Sequence, residues 1–303
     1  ENPDYLTVAF DVHAPTFRHE IYKEYKGTRK PMPEELREQV PVLKEVLGAM
    51  GIKMMEQPGL EADDILGTLA KRAEREGMEV SLVSGDRDLL QVATERIKIR
   101  IPKTKGGKTE IEDYYAADVE SRYQVNPIQF IDLKALMGDT ADNIPGVPRV
   151  GEKTATELMV QFGSLDHIYA HIDEVSKKSI RESLQNNREL ADLSKALATI
   201  NVDSPLEFGF EEARVQDFFT QEAYAIFKRL EFKNMLSRFG NSAGGNESND
   251  EIISRFCRAD ELADVEALFE RAGEEEEVGL AVLREQGEKG EFVGISLAAG
   301  REQ

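Results

Sequence analysis

The sequence predicts an α/β fold in which a parallel sheet is followed by a helical subdomain. Short apolar strands alternate with helices over roughly the first hundred residues, which is typical of parallel sheets. From Tyr123 onward the apolar residues follow a helical period. The segment 240–250 has no apolar periodicity and is rich in Gly, Asn and Ser, which is typical of a linker. We therefore expect an α/β core at 1–127, a helical subdomain at 128–240, a flexible linker at 241–250, and the beginning of another α/β domain at 251–303.

Each predicted strand is a short apolar run that ends near an acidic residue or a turn. The predicted strands are 5–10, 52–56, 79–84 and 97–101. Predicted helices begin at Pro33, Glu61 and Leu89, and continue at about 128–138, 152–162, 176–199 and 221–236. Beyond the linker, a short helix at 260–272 and strands at 278–283 and 292–297 are expected.

The overall charge of −20 by itself argues against a nucleic-acid partner, because phosphate binding needs local positive charge. The charge is unevenly distributed, however. One basic cluster contains Lys23, Lys26, Arg29 and Lys30, and a second contains Lys98, Arg100, Lys103, Lys105 and Lys108. Each cluster alone is more typical of a solvated face than of a binding site.

Other features of the composition bear on location. The chain has one cysteine, Cys257, and neither a run of 18 apolar residues nor a signal-peptide pattern. These observations favour a reducing cytoplasm and argue against a membrane partner. The sequence begins with Glu1 directly before an apolar strand and ends after another apolar run. We expect it to be part of a longer protein.

Acidic residues recur where strands end or helices begin. Asp11 ends the first strand, Glu61, Asp63 and Asp64 open a helix, and Asp86 and Asp88 follow a strand. Asp139 and Asp142 lie in a short loop after a helix. Because the carboxyl ends of parallel strands line one crevice, many of these eight carboxylates are expected to lie together.

Such a cluster needs cations, because neighbouring carboxylates repel each other and are costly to desolvate. Oxygen ligands without a cysteine or histidine pattern favour Mg²⁺ or Mn²⁺ over zinc. Two such ions can activate a water and stabilise a leaving oxygen in phosphodiester cleavage. Each acidic group also has a simpler interpretation as a first-turn, capping or turn residue, but four groups at matching positions are less compatible with it.

A glycine-containing turn, Gly146 to Gly151, follows the last acidic pair and leads into a helix. It differs from a P-loop, because Glu152 precedes Lys153 and a helix rather than a strand comes before the turn. A helix–turn–helix unit of this kind can hold a duplex by its phosphates without reading base sequence. An ordinary capped turn would be the better interpretation if the flanking acids were absent.

Five ordered strings carry a resemblance to a known family. They are Phe10-Asp11, Tyr25-Lys26-Gly27-Thr28-Arg29, Gly59-Leu60-Glu61-Ala62-Asp63-Asp64, Ser84-Gly85-Asp86-Arg87-Asp88, and the run from Met137 to Val147. Together they resemble the 5′-nuclease domain of bacterial DNA polymerases I, which is related to flap endonucleases. The resemblance covers roughly residues 4–240 and implies a PIN-like nuclease core followed by a helix–three-turn–helix subdomain.

The resemblance implies a 5′→3′ exonuclease and flap endonuclease that uses divalent ions in primer removal and DNA repair. It assigns metal binding to Asp11, Glu61, Asp63, Asp64, Asp86, Asp88, Asp139 and Asp142, and assigns Lys26 and Arg29 to the scissile phosphate. It also assigns DNA binding to Gly146, Val147, Arg149, Val150, Gly151, Lys153 and Thr154, and implies a K⁺ ion bound at the turn. Arg149 stands where the family commonly has glycine. The implied partners are 5′-flap or nicked DNA, RNA primer–DNA junctions and a polymerase domain of the same chain. The resemblance also implies a monomer that is associated with the nucleoid in the bacterial cytoplasm.

Two departures from the family pattern are expected to matter. The family begins with a strand whose last residue is an aspartate metal ligand, and a basic helical segment follows that strand. This sequence starts after both. We therefore expect little cleavage by the sequence as given. Residues after about 251 resemble the start of the RNase H-like 3′→5′ exonuclease domain. Active versions carry Asp-x-Glu on the first strand, whereas Gly279 to Leu283 has no acid. This second domain is expected to be inactive.

Other functional classes remain alternatives. A non-catalytic protein that binds DNA structures would use the turn but would gain nothing from acids beside phosphates. A metal-dependent phosphatase acting on small molecules would have no use for the turn or for the basic segment. The acidic cluster together with the turn therefore favours a nuclease.

Overall fold

The computed structural model describes residues 2–105, 107–239, 262–273, 278–284 and 292–299. The chain divides into two units, Glu1–Leu236 and Ser237–Gln303. None of the helices in the described ranges combines the length and apolar character needed to cross a membrane. The predicted linker at 241–250 lies outside the described residues.

The strands of the first unit form two sheets. They are β1 (Thr7–Ala9), β2 (Lys53–Met55), β3 (Val80–Val83), β4 (Ile97–Lys105) and β5 (Lys108–Tyr114). β1 and β2 pair in parallel, and so do β3 and β4, as the alternation of strands and helices predicts. β5 pairs with β4 in antiparallel orientation, so the second sheet is mixed.

Helices link these strands and make up the rest of the first unit. They are α1 (Phe17–Ile21), α2 (Glu34–Ala49), α3 (Ala62–Arg75), α4 (Ala116–Tyr123), α5 (Pro127–Met137), α6 (Glu152–Phe162), α7 (Leu165–Ala170), α8 (Lys178–Asn186), α9 (Arg188–Ala198), α10 (Gln221–Arg229) and α11 (Lys233–Leu236). Short 3₁₀ helices lie at Asp88–Val92, Ile172–Glu174 and Phe210–Ala213.

Local sequence explains where the helices that carry the site begin and end. Glu61 precedes α3 in a capping box with Asp64, which ties the start of this helix to an acidic pair. At α5, the Asn126 side chain accepts the Gln129 N–H and Pro127 occupies the first turn. α6 starts at Gly151 and stops at Gly163, which adopts the left-handed conformation with φ 81°.

Several predicted elements were wrong in extent. The helix expected at Leu89 is a five-residue 3₁₀ helix, because Ala93 is extended and turns the chain into β4. The stretch 176–199 is two helices, interrupted at Asn187. β5 was not predicted, because Lys108–Tyr114 is mostly polar and exposed. α7 was not predicted either. Gly107, with φ 78°, marks the turn that produces this hairpin.

One hydrophobic core spans the two parts that the sequence predicts for residues 1–240. It includes Leu82 and Ile99 from the second sheet and Leu133, Leu158 and Leu184 from the helices. Because these side chains pack together, the loops after β3 and after α5 are held by the same core.

The described part of the second unit contains α12 (Leu262–Gly273), β6 (Val278–Arg284) and β7 (Phe292–Ala299). The two strands are antiparallel, and Val278 pairs with Ala299. These elements match the helix and the two strands predicted after the linker.

Candidate active site

The predicted acidic ligands lie after parallel strands, at the start of α3 and after α5. Asp11 comes after β1, and its Oδ1 accepts the Ala62 N–H at 2.8 Å, which fixes it to the start of α3. Glu61, Asp63 and Asp64 occupy that same start. The parallel pairing of β1 and β2 therefore brings two of the predicted acidic groups together.

Asp64 is fully buried, and its carboxylate is saturated by donors from the chain. Arg18 binds both oxygens at 2.8 Å each, and the backbone N–H groups of Glu61 and Asn201 donate to them as well. The same guanidinium donates to the carbonyls of Leu197 and Thr199 at 2.9 and 2.8 Å. These contacts make Asp64 an anchor that joins α1, α3 and the end of α9.

Glu61 and Asp142 form a second group, bridged by side chains from the basic segment. The Tyr25 hydroxyl lies 3.1 Å from a carboxylate oxygen of each. Lys26 Nζ lies 2.8 Å from Glu61 Oε1 and 3.8 Å from Asp142 Oδ2. Arg29 forms an ion pair with Asp142 and donates to the Ala141 carbonyl at 3.2 Å. Lys26 and Arg29 therefore lie directly against predicted metal ligands.

A third group joins the loop after β3 to the loop after α5. Lys134 Nζ lies 2.7 Å from Asp88 Oδ1 and forms an ion pair with Asp139. The turn interpretation also holds here, because Asp86 accepts the Asp88 N–H at 2.8 Å and Asp139 accepts the Ala141 N–H at 2.7 Å.

Two pKa shifts show that these groups influence one another. Burial, together with the charges of Asp86, Asp11 and Glu61, raises the pKa of Asp63 to about 7 against the opposing effect of Lys26. Burial likewise raises the pKa of Asp88 to about 6, although Lys134 opposes the shift. In both cases neighbouring acids add to the effect of burial, so these carboxylates lie close enough to influence one another.

The donor chemistry of this region fits a hard divalent cation. All the candidate ligands are carboxylates, and the charges of Asp86 and Asp11 add to burial in raising the pKa of Asp63. In the described part of the chain, no three acidic, histidine or cysteine side chains converge as a metal-holding group. The carboxylates are instead separated by the chain's own cations, Lys26, Arg29, Lys134 and Arg18.

Two glycines packed against each other close the loop that carries Asp139 and Asp142. A Cβ on Gly146 would lie 2.4 Å from the Gly138 nitrogen, and one on Gly138 would lie 2.6 Å from the Ile144 carbonyl oxygen. Both glycines have positive φ, at 72° for Gly138 and 62° for Gly146. The backbones of Asp139 and Ile144 exchange two hydrogen bonds inside the loop. This close approach requires glycine at both positions.

The same loop is attached to the basic segment and to α9. The Lys26 N–H donates to the Asp142 carbonyl at 2.9 Å, and Asn143 Nδ2 donates to the Glu24 carbonyl at 2.7 Å. The Gly146 N–H donates to Ser194 Oγ at 2.9 Å. The acidic pair is therefore held on both sides by backbone contacts.

The predicted DNA-binding turn presents some of its residues to solvent and buries others. The side chains of Val147 and Val150 are each 3% exposed and pack in the core, so a DNA-binding role for them is limited to backbone atoms. Arg149 is exposed and adopts φ 69°, which explains why a glycine would suit this position. Gly151 caps α6 with φ −89°, and Lys153 in its first turn is exposed. Thr154, next along the turn, is half-buried.

Three residues of the second basic cluster pair with acids of the β4–β5 hairpin. Arg100 and Lys98 face Asp113 at 2.8 and 3.9 Å, and Lys103 pairs with Glu112. These pairs support the interpretation of this cluster as a solvated face.

Two buried cations of the site, Arg18 and Lys134, were not predicted from the sequence. Arg18 lies in a segment rich in other charges, which conceals it. Lys134 gives a clearer signal, because it interrupts the apolar run Leu133–Leu136 and precedes Asp139 by five residues. A lysine on a buried helix face near an acid indicates an internal ion pair.

Family comparison agrees with this geometry. Residues 1–124 match the 5′-3′ exonuclease N-terminal resolvase-like domain, and residues 125–221 match the 5′-3′ exonuclease C-terminal SAM fold. The chain belongs to the 5′-3′ exonuclease family. It is similar to the DNA polymerase I of Bacillus caldotenax, with 44% identity over 297 residues, or 95% of this chain. The chain spans about a third (34%) of that polymerase.

Solved structures with a similar fold include phage nucleases. The T5 5′-exonuclease with bound divalent zinc ions matches with a TM-score of 0.55 and 28% identity, over 64% of this chain and 74% of that one. The T5 D15 flap endonuclease in complex with DNA and metal ions matches with a TM-score of 0.54 and 24% identity. That match covers 77% of this chain and 80% of the phage protein, and it supports the fold.

Proposed function

We propose that the protein hydrolyses phosphodiester bonds in DNA as a structure-specific 5′→3′ exonuclease and 5′-flap endonuclease. One observation carries the proposal: a single closed loop, Gly138 to Gly146, brings Asp139 and Asp142 beside other carboxylates and continues directly into the turn before α6, where Arg149 is exposed. The proposed catalytic and duplex-holding parts would thus share one continuous segment. The cleavage position would then follow from DNA structure rather than base sequence.

The proposed cofactors are two Mg²⁺ or Mn²⁺ ions, held by carboxylates among the eight predicted ligands. When bound, such ions activate a water and stabilise the leaving oxygen. The saturated carboxylate of Asp64 suits it to positioning Arg18 and the start of α3. Asp11, Asp63 and Asp86 have fewer partners from the chain, so they are the better candidates for direct ligation.

Lys26 and Arg29 would counter the charge of the scissile phosphate. Lys26 lies against Glu61 and Asp142, and Arg29 lies against Asp142, so a phosphate that approaches these carboxylates also approaches the two cations. Lys26 adopts φ 55° and its backbone is tied to Asp142, which orients its side chain. Their role would be to stabilise the phosphate as its charge develops.

The turn before α6 would hold the downstream duplex. Exposed Arg149 and Lys153 supply positive charge, and the first N–H groups of α6 point out of the helix start. Backbone carbonyls of this turn are the proposed place for a K⁺ ion. Contacts of this kind depend on salt and are independent of base sequence.

A cleavage assay on a labelled 5′-flap duplex, using the full-length protein with Mg²⁺ or with chelator, tests the proposal. Asp139→Asn should lower the cleavage rate by about 100-fold or more, because it alters charge at the metal site, while the Kd for DNA stays within about threefold. Lys153→Met should weaken DNA binding and reduce the slope of log K for DNA binding against log salt concentration by about one.

The two variants separate catalysis from binding. Equal losses of cleavage and binding in Asp139→Asn would favour a mainly structural role for this residue. Cleavage that persists in chelator would refute the metal mechanism. Binding without any cleavage by the wild-type protein would favour the alternative, a non-catalytic DNA-structure-binding protein.

We infer further that the parent chain continues into a polymerase and lacks proofreading. β6 carries no acidic residue between Val278 and Leu283, where active 3′→5′ exonucleases of this type have two. The function in primer removal and repair would place the protein in the bacterial cytoplasm with the nucleoid, as a monomer acting on nicked DNA and RNA primer–DNA junctions. Detection of 3′→5′ degradation by the full-length protein would refute the absence of proofreading.

A further inference from the structure

Lys134 is a buried cation that the proposed reaction does not use. Its side chain is 10% exposed, and its neighbours in α5, Leu133 and Ala135, are buried in the core. Its Nζ lies 2.7 Å from Asp88 Oδ1 and also pairs with Asp139 Oδ2. One ammonium group therefore joins two predicted metal ligands from different segments.

The position of this ammonium is set by the fold. The carbonyl of Lys134 accepts the Gly138 N–H at 2.8 Å, at the end of α5 where the acidic loop begins. The core that holds α5 also holds Leu89 and Leu90, which follow Asp88. Lys134 is thus fixed relative to both carboxylates by backbone and core contacts.

A fixed positive charge at this point has two opposite effects. It stabilises the folded protein by neutralising Asp88 and Asp139, since leaving half-buried carboxylates without a partner is costly. It also repels any second cation that these same carboxylates would bind. The first effect organises the site, and the second lowers its affinity for a divalent ion.

We propose that Lys134 is a positioning residue that holds Asp88 and Asp139 in place before a divalent ion binds and weakens the binding of that ion. The proposal rests on the proposed metal-dependent function. It makes the folded state independent of metal on this side of the site. It also makes the ion there exchangeable, so that metal occupancy varies with the concentration of free Mg²⁺.

The test compares Lys134→Met with Lys134→Arg, which retains the charge, in the full-length protein. Lys195→Met is the matched control. Lys195 Nζ lies 2.7 Å from Asp132 Oδ1, and Asp132 is a buried acid that shares α5 with Lys134 but is not a predicted metal ligand. Mn²⁺ binding is measured by electron paramagnetic resonance, and Tm is measured in chelator and in Mg²⁺.

Lys134→Met should bind Mn²⁺ at least about tenfold more tightly than the wild type. Its Tm should fall in chelator and rise in Mg²⁺ by more than the wild-type Tm does. Lys134→Arg should restore the wild-type pattern, and Lys195→Met should lower Tm equally with and without Mg²⁺. If Lys134→Met is unfolded in chelator, Mg²⁺ should refold it and NaCl of the same ionic strength should not.

Unchanged Mn²⁺ affinity in Lys134→Met, an equal Mg²⁺-dependent Tm rise in both proteins, or failure of Mg²⁺ to refold the variant would overturn the proposal. Flap cleavage by the wild-type protein is measured in parallel. If the wild type cleaves but the variant shows no change in metal linkage, the role of Lys134 fails while the nuclease function stands. If the wild type binds Mn²⁺ but does not cleave the flap, the proposed nuclease function is refuted. The comparison of Mn²⁺ affinities then still tests the role of Lys134.

Discussion

Replacing Gly146 with alanine disturbs the contact that closes the acidic loop. The new Cβ would lie 2.4 Å from the Gly138 nitrogen and 2.6 Å from the Met137 carbonyl carbon, both backbone atoms that cannot rotate away. The residue would also keep a φ of 62°, which costs about 1 kcal/mol for a residue with a side chain. Overpacking adds about 1–3 kcal/mol, so the expected loss of stability is about 2–4 kcal/mol.

Gly151→Ala is the matched control, five residues along the same turn. Gly151 has φ −89°, and no atom lies within 4 Å of the Cβ that alanine would add. We expect a change within about 1 kcal/mol, because reduced freedom of the unfolded chain offsets a slightly poorer helix cap. Urea denaturation followed by circular dichroism measures both variants.

The same change should reach the active site. Movement of Gly146 displaces the loop that holds Asp139 and Asp142, so flap cleavage should fall more in Gly146→Ala than in Gly151→Ala. Equal urea midpoints for the two variants would refute the argument that the contact between Gly138 and Gly146 is tight.

Two further predictions concern the buried charges. Arg18→Met leaves the Asp64 carboxylate buried without its partner and should lower the free energy of unfolding by about 3–5 kcal/mol, measured by urea denaturation. The exposed Arg37→Met should change it by less than about 0.5 kcal/mol, and a similar loss in both would contradict the anchoring role. In chelator, the ionised form of Asp63 is disfavoured in the folded state, because its pKa is about 7 rather than the ordinary 3.8. Stability should therefore fall as pH rises from about 4 to about 7, by up to about 1.4 kcal/mol per pH unit. The Tm advantage of Asp63→Asn should grow over the same range, and an advantage that shrinks would contradict the assignment.

Sequence reasoning identified the elements that depend on local pattern. Apolar runs ending in turns predicted β1 to β4, and the predicted helix starts at Pro33 and Glu61 correspond to α2 and α3 of the structure. The positions of the acids after strands were also visible, because strand ends and helix starts follow from nearby residues. A mostly polar strand such as β5 lacks that pattern, so its pairing with β4 was missed.

The partners of the charged residues depended on contacts between distant segments. Asp63 and Asp64 are adjacent and chemically identical, yet Asp64 is saturated by Arg18 whereas Asp63 faces other carboxylates. Arg18 and Lys134 became buried counter-charges because the core brings α1, α3 and α5 beside the acidic loops.

The sequence by itself therefore determined the order of β1 to β4 and of the helices with a clear apolar period, the inventory of carboxylates and the glycine turn before α6. The tertiary structure alone decided which cation neutralises which acid and how closely Gly138 and Gly146 approach. The physical reason is the separation along the chain of the residues that interact. Helix caps, turns and periodicity depend on residues a few positions apart, whereas desolvation and ion pairing depend on groups that folding brings together from across the chain.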